Sequence, residues 1–311
     1  MRVTGYSFTL SLTDQLNQLA AQQYRLQNQA ATGRRIHAPE DDPGAVRRAL
    51  ELSSDARAVQ QYQSNIANLR ERAAASLDAL KAVKAISDRA GEIATLADGT
   101  RSPQDLRLYA TEVTQLIQQA AQVLNAKHRG QALFGGTRTE QSPFVVATDA
   151  DGRVTAVTYQ GNAAVTEVDV DAGVAVSVDV PGANDTGSGP RGLASDSRAG
   201  ADLFGHLIAL QNHLLAADTQ AIADTDRAAL RRDEDNLLYH IAQNGALQSR
   251  LEVAASSADT RLLSVEQMIS READADLADT LVKFNQAQFA YQAALQSSAA
   301  ILGRSLLDYL R

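Results

Sequence analysis

Residues 277–311, LADTLVKFNQAQFAYQAALQSSAAILGRSLLDYLR, decide how the rest of the chain is read. Their apolar residues fall at Leu277, Leu281, Phe284, Tyr291, Leu295, Leu302 and Tyr309. Gln288, Ser298 and Ser305 complete an alternation of steps of four and three. That spacing is the seam of a helix packed lengthwise on another helix. From Thr280 onward the only charges are Lys283, Arg304, Asp308 and Arg311, and the rest is largely Gln, Asn, Ser and Ala. A solvated helix face ordinarily carries many charges, so a face this bare implies neighbours.

A matching stripe lies at the other end of the chain. Within residues 6–32 it runs Leu12, Leu16, Leu19, Gln23, Leu26 and Ala30, with Asp14 and Arg25 as the only charges. Two charge-poor heptad helices can pair with each other, which would bring the termini side by side. Between this helix and the next, residues 32–45 read TGRRIHAPEDDPGA. Gly33 suits a helix C-terminus, and Pro39 biases Ala38 away from helical geometry. Asp42 is placed to cap a new helix, with Pro43 at its first position, where a missing N–H costs nothing. Glu40, Asp41 and Asp42 have the chemistry of metal ligands, but no His or further carboxylate stands at ligand spacing, so a capping cluster is the better reading.

The spacing predicts a helix from Pro43 to about Ala97, with a seam of Val59, Tyr62, Ile66, Leu69, Ala73, Ser76, Leu80 and Val83. The seam resumes after a step of three at Ile86, Ala90, Ile93 and Ala97, a local irregularity in the repeat. Asp98-Gly99 ends this helix and Ser102-Pro103 starts an antiparallel partner, with Leu106, Tyr109, Val113, Leu116, Ala120 and Val123, that stops near Gly130. The period then falls to two. Residues 144–147, 154–159, 165–170 and 174–180 read as strands rich in Val and Thr, followed by a Gly-, Asn- and Ser-rich stretch, 181–192, with the composition of a mobile loop. Helices return at about 200–217 and 225–270, and Glu272, Asp274 and Asp276 set carboxylates at the start of the last helix. The expected fold is therefore mainly α: a long antiparallel helical bundle or coiled coil, with paired N- and C-terminal helices and a small inserted β domain. Its expected parts are a terminal coiled coil (1–40 with 273–311), a helical rod (41–140 with 199–272) and the β insert (141–198).

Composition excludes several function classes. Net charge is −8 and the isoelectric point is about 5.2, so nothing favours nucleic acid, whose phosphates are bound through Lys and Arg. Without cysteine there is no disulfide, thiolate metal site or thiol nucleophile. No apolar run approaches a membrane span, and MRVTGYSFTL lacks the basic and apolar regions of a cleaved signal peptide. His206 and His213 are seven apart, whereas zinc ligands on one helix stand three or four apart. Asp149 to Gly152 resembles the opening of a calcium loop, but the later acidic ligands are missing. No phosphate-binding or nucleophile-elbow motif occurs. The residues point to no cofactor and no enzyme activity.

The chain resembles the flagellin family of bacteria. Residues 29–46, QAATGRRIHAPEDDPGAV, carry the G-[KR]-R-[IV]-x-x-x-x-D-D-P order that leads from the family's first terminal helix into its long helix, on Gly33, Arg35, Asp41, Asp42 and Pro43. Residues 86–100, 269–279 and 286–310 are similar to its later helical segments, while the β insert matches only in place and size. Pro43, the segment ALFGGTRTEQSPF at 132–144, the single modest insert and the ending SLLDYLR resemble the subunits that join hook to filament more than filament subunits. The alternative is a filament subunit, which commonly has Ala where Pro43 stands. The resemblance implies a structural subunit that leaves the cell through the flagellar type III apparatus without a cleaved signal. It would self-assemble into a ring outside the cell, between the other hook-associated junction protein on the hook side and flagellin on the filament side. A cytoplasmic export chaperone would hold its C-terminal helix beforehand, and the terminal helices would fold on assembly.

Overall fold

The computed structural model describes residues 4–309, and the side chains of residues 10–300. The fold is mainly α. Its helices are α1 (Thr4–Thr32), α2 (Pro43–Leu96), α3 (Pro103–Leu124), α4 (Leu203–Ala216), a single turn α5 (Thr219–Ala221), α6 (Arg227–Ala273) and α7 (Leu277–Tyr309). Between α3 and α4 lie strands β1 (Lys127–His128), β2 (Gln131–Ala132), β3 (Phe144–Thr148), β4 (Val154–Tyr159), β5 (Val168–Asp171), β6 (Val174–Val176), β7 (Ala183–Asn184), β8 (Ser195–Asp196) and β9 (Ala201–Asp202). Contacts divide the chain into two compact units. One joins residues up to 59 with residues from 260 onward; the other is residues 60–259.

In the 60–259 unit the long-helix seam is buried as the spacing predicts: Ile66, Leu69, Ala73, Ser76, Leu80 and Val83, then Ile86, Ala90, Ile93 and Ala97 after the step of three. Helix α3 begins at a capping box, in which the Asp105 amide donates to the Ser102 hydroxyl at 3.2 Å and Ser102 N–H donates to the Asp105 carboxylate at 3.4 Å. Leu106, Val113 and Ala120 are buried as expected, but the rest of the stripe lies one residue later, on Ala110, Ile117 and Leu124, while Tyr109, Leu116 and Val123 are half-buried. The helix also ends at Leu124 rather than near Gly130. Asn125 stops it by acting as a peptide group: its Nδ2 donates to Phe144 O at 2.7 Å, and its Oδ1 accepts from Phe144 N at 2.8 Å. The chain then reverses through the β1–β2 hairpin, whose turn holds Arg129 and Gly130 at positive φ (50° and 82°).

The inserted strands form small separate sheets: the antiparallel pairs β1–β2, β3–β4 and β5–β6, and the three-stranded β7–β8–β9. They are docked by aromatic and apolar contacts. Phe144 lies 5.2 Å, ring centre to ring centre, from both Tyr159 and Phe204 of α4. Leu203, Leu207, Leu210 and Leu214 of α4 meet α2 and α3 in the same core. The stretch 181–192, expected as a mobile loop, is tied down. Asn184 Nδ2 donates to Ser188 O at 2.7 Å and Pro190 O at 2.6 Å, and Asn236 Nδ2 donates to Gly192 O at 2.9 Å and Leu193 O at 2.8 Å. Gly192 permits this, because a Cβ there would collide with the backbone of Ser195 and Ala183.

Candidate assembly site at the terminal helices

In the other unit α1 and α7 pack along each other. The end of α1 and the start of α7 are joined by an antiparallel bridge, Arg34 to Asp274, so the two helices run in opposite directions. On α1 the expected stripe faces inward: Leu26 is buried, and Leu12, Leu16, Leu19, Gln23 and Ala30 are half-buried. On α7, Phe284 and Tyr291 are half-buried as the spacing predicts.

The large leucines of α7 are placed differently. Leu277 and Leu281 are each 50% exposed and Leu295 is 43% exposed, so the expectation that Leu281 and Leu295 bury against α1 does not hold in the single chain. The covered residues are Thr280, Phe284, Ala287, Tyr291, Ala294 and Ser298, with Gln288 half-buried beside them, and the six keep the alternation of four and three but centre it on smaller side chains. Two packed helices cover only a narrow stripe, and small residues on that stripe let the backbones approach. With about 3.6 residues per turn, Leu277, Leu281 and Leu295 lie on one flank of it, while Val282 (55% exposed) and Phe289 (71%) lie roughly on the opposite side of the helix. Lys283 and Asp279 pair at 2.5 Å on the remaining flank. Leu302 and Tyr309 of the expected seam lie outside the residues whose side chains are described.

The two linkers meet in a clasp. Gly33, at φ 69°, ends α1 and turns the chain. Arg35 N donates to Ala273 O and Ala275 N donates to Gly33 O, both at 2.8 Å. Arg35 reaches across, donating to Glu272 O at 2.6 Å and to the Asp42 carboxylate at 3.2 Å. Arg48, on the first turns of α2, grips the Glu272 carboxylate at two points, 3.1 and 2.9 Å. Asp42 caps α2, its Oδ1 accepting from Ala45 N at 3.0 Å, with Pro43 at the first helical position. Asp41 closes the preceding turn by accepting from His37 N and Ala38 N at 3.1 and 3.0 Å. These bonds hold three carboxyls below their usual range: Asp41 through the Ala38 and His37 amides, Asp42 through the Ala45 amide and Arg35, and Glu272 through Arg48. Arg48 was not singled out in the sequence, and Glu272 was read only as a carboxylate at the start of the last helix, whereas it lies in the last turn of α6. Their signal was positional: if the terminal helices pair, the linkers 33–42 and 274–276 must lie side by side, and charged residues flanking them can meet.

Elsewhere, His206 and His213 of α4 do not share a ligand site. His206 Nδ1 meets the buried Asp233 carboxylate and His213 Nδ1 the buried Asp226 carboxylate, each at 2.8 Å. Asp226 ends a π-helical stretch, Ile222–Asp226, that leads into α6, so one pair ties α4 to that stretch and the other ties it to α6. Among the described residues no group of three or more His, Asp or Glu is placed to hold a metal ion, and no helix is long and apolar enough to cross a membrane.

Residues 4–139 match the bacterial flagellin N-terminal helical region. Over those residues the chain is similar to the N-terminal helical region of bacterial flagellins. Flagellar hook-associated protein 3 of Escherichia coli (strain K12) is 27% identical over 296 residues, which span 90% of this chain and 90% of that protein. Its counterpart in Salmonella typhimurium (strain LT2) is 25% identical over 299 residues, 94% of each chain. A solved flagellar hook-associated protein from Vibrio parahaemolyticus shares the fold, with a TM-score of 0.63 at 22% identity, over 75% of this chain and 100% of that one. The curated relatives this chain matches are thus hook-associated proteins of the flagellum, matched along nearly their whole length.

Proposed function

We propose that this chain is the structural subunit that joins hook to filament, and that its terminal helix pair is the assembly element. The observation that carries the reading is the match to flagellar hook-associated protein 3 across nine-tenths of both chains, which favours a junction subunit over a filament flagellin. The surface of α7 supports the assembly role. A helix that is apolar on its covered stripe, on one flank and on the far side needs more than one neighbour. The seam residues, Leu12, Leu16, Leu19 and Leu26 on α1 and Leu277, Leu281, Phe284, Tyr291, Leu295, Leu302 and Tyr309 on α7, divide between holding the pair together and meeting other subunits. Gly33, Arg35, Asp41, Asp42 and Pro43 shape the linker. The role is structural rather than catalytic. The ring arrangement, contact with the other hook-associated junction protein and with flagellin, chaperone capture of α7 and type III export to the cell exterior belong to the same reading.

A strain lacking this gene tests it. Loss of a junction subunit leaves hooks without filaments while flagellin is secreted unpolymerised. Loss of a filament subunit leaves bare hooks and no secreted subunit, and intact filaments would overturn both readings.

A further inference from the structure

In the 60–259 unit a cleft of about 240 Å³ opens between segments 177–181 and 190–191 and one side of α6. The Arg191 guanidinium lies over the Tyr239 ring, 4.3 Å from its centre. Among the described residues Arg191 has no hydrogen-bond or ion-pair partner. The other charges around the cleft cancel: Asp179 pairs with Arg72 at 3.0 Å, and Asp196 with Arg198 at 2.8 Å. Arg191 is left over, a preorganised planar cation in a chain whose Asp and Glu outnumber its Lys and Arg by 37 to 29. Beside it, His240 is buried and faces Gly192 O through Nε2 at 3.2 Å, which makes Nε2 the protonated nitrogen and leaves Nδ1 open. Pro181, Pro190 and Leu247 supply an apolar wall.

We propose that this cleft receives a glutamate or aspartate side chain presented by a neighbouring acidic protein segment. The carboxylate would lie against the Arg191 fork, and its methylenes against the prolines and Leu247. A guanidinium stacked on an aromatic ring loses little freedom when it takes a carboxylate. The cleft is smaller than the roughly 300–1,000 Å³ of small-molecule sites, which suits one side chain rather than a cofactor. Burial pushes the His240 imidazole down to about 4, and a carboxylate seated beside it would raise it again, which provides a spectroscopic signature.

The test is NMR on the isotope-labelled full-length chain, titrated with blocked Ala-Glu-Ala, blocked Ala-Gln-Ala and acetate. The glutamate peptide should shift the Arg191 Nε–H and His240 ring signals saturably and raise the His240 midpoint. The glutamine peptide should not, and acetate should bind at least ten-fold more weakly. R191Q should lose the response while the Leu193 and Leu207 methyl signals stay in place; R191K, which keeps the charge without the planar fork, should fall between. Equal shifts from the two peptides, full binding by R191Q or R191K, or no saturable shift overturns the proposal. Acetate binding as tight as the peptide's would mark a free-anion site and overturn docking.

Discussion

Arg48 and Glu272 stand 224 residues apart in sequence, yet they meet side by side, Nε to Oε1 at 3.1 Å and Nη2 to Oε2 at 2.9 Å. The same Glu272 offers its backbone carbonyl to Arg35, so one residue at the end of α6 gathers the linker that leaves α1 and the first turns of α2. The clasp makes the ordering of the two linkers a joint event. Glu272→Gln should therefore speed amide exchange at both Arg35 and Ala275, the two bridge donors, several-fold, with little change in helix content by circular dichroism. Arg48→Gln should do the same. Because both variants remove one contact, the double variant should add little to either, which a double-mutant cycle by hydrogen exchange measures.

The Asn125 side chain does the work of a missing strand neighbour, donating to and accepting from Phe144. Removing it leaves the N–H and C=O of a buried residue without partners. Asn125→Ala should destabilise the 60–259 unit by about 1–3 kcal/mol in denaturant unfolding. Asn125→Asp keeps the acceptor but sets a carboxylate against the Phe144 carbonyl, so it should be no better than alanine near neutral pH and should partly recover in acid.

The two histidines His206 and His240 should give the 60–259 unit opposite pH dependences around the ordinary histidine midpoint of about 6.5. The hydrogen bond to Asp233 raises His206, and burial raises Asp233. A raised folded-state midpoint gives stability that is present below the unfolded midpoint and lost as pH climbs through the folded one, so His206 weakens the fold as pH climbs above about 6.5, while Asp233 does so from about 3.8 upward. Asp202 and Arg232, which also face His206, act in opposite directions and partly cancel. His240 behaves in the reverse sense. Buried and held at about 4, it costs stability as pH falls from about 6.5 toward 4. Asp196 adds a separate loss at lower pH: burial alone would raise it, but Arg198 and the Gly192 and Ala199 amides outweigh burial and hold it at about 2. Unfolding free energy measured against pH should show both limbs. His206→Asn should flatten the alkaline limb and His240→Gln the acid one.

How much of this was legible in the sequence varied with the kind of interaction. The α2 seam could be read because large residues recur along it, from Ile66 to Ile93, and each is buried against partners within the same chain. On α3 alternate positions of the stripe drifted by one residue, since a choice such as Tyr109 against Ala110 is settled by the packed neighbour and not by spacing. Hairpin β1–β2 was missed because two-residue strands carry no alternation to detect. The Asp233 and Asp226 partners of His206 and His213 could not be found from spacing, because they arrive from another helix and from a π-helical turn. On α7 the residues with the strongest hydrophobic signal, Leu277, Leu281 and Leu295, are the ones a single chain leaves exposed. Periodicity marks an apolar face, and it does not say whether the same molecule covers it.

That distinction gives opposite expectations for two kinds of change in α7. Ala287 is 5% exposed, in the stripe that meets α1. Ala287→Leu forces extra volume between the helices and should weaken the α1–α7 pair by about 1–3 kcal/mol, seen as faster exchange along residues 12–30 of the isolated chain. Leu281 and Leu295 lie outside that stripe, so Leu281→Ala with Leu295→Ala should leave exchange in the isolated chain nearly unchanged. If those leucines meet other subunits, the double variant should instead fail to restore filaments to a strain lacking the gene, at normal levels of export. Restored filaments would show that the exposed leucines are not part of the assembly contact, whereas faster exchange along α1 in the double variant would show that they belong to the intramolecular seam after all.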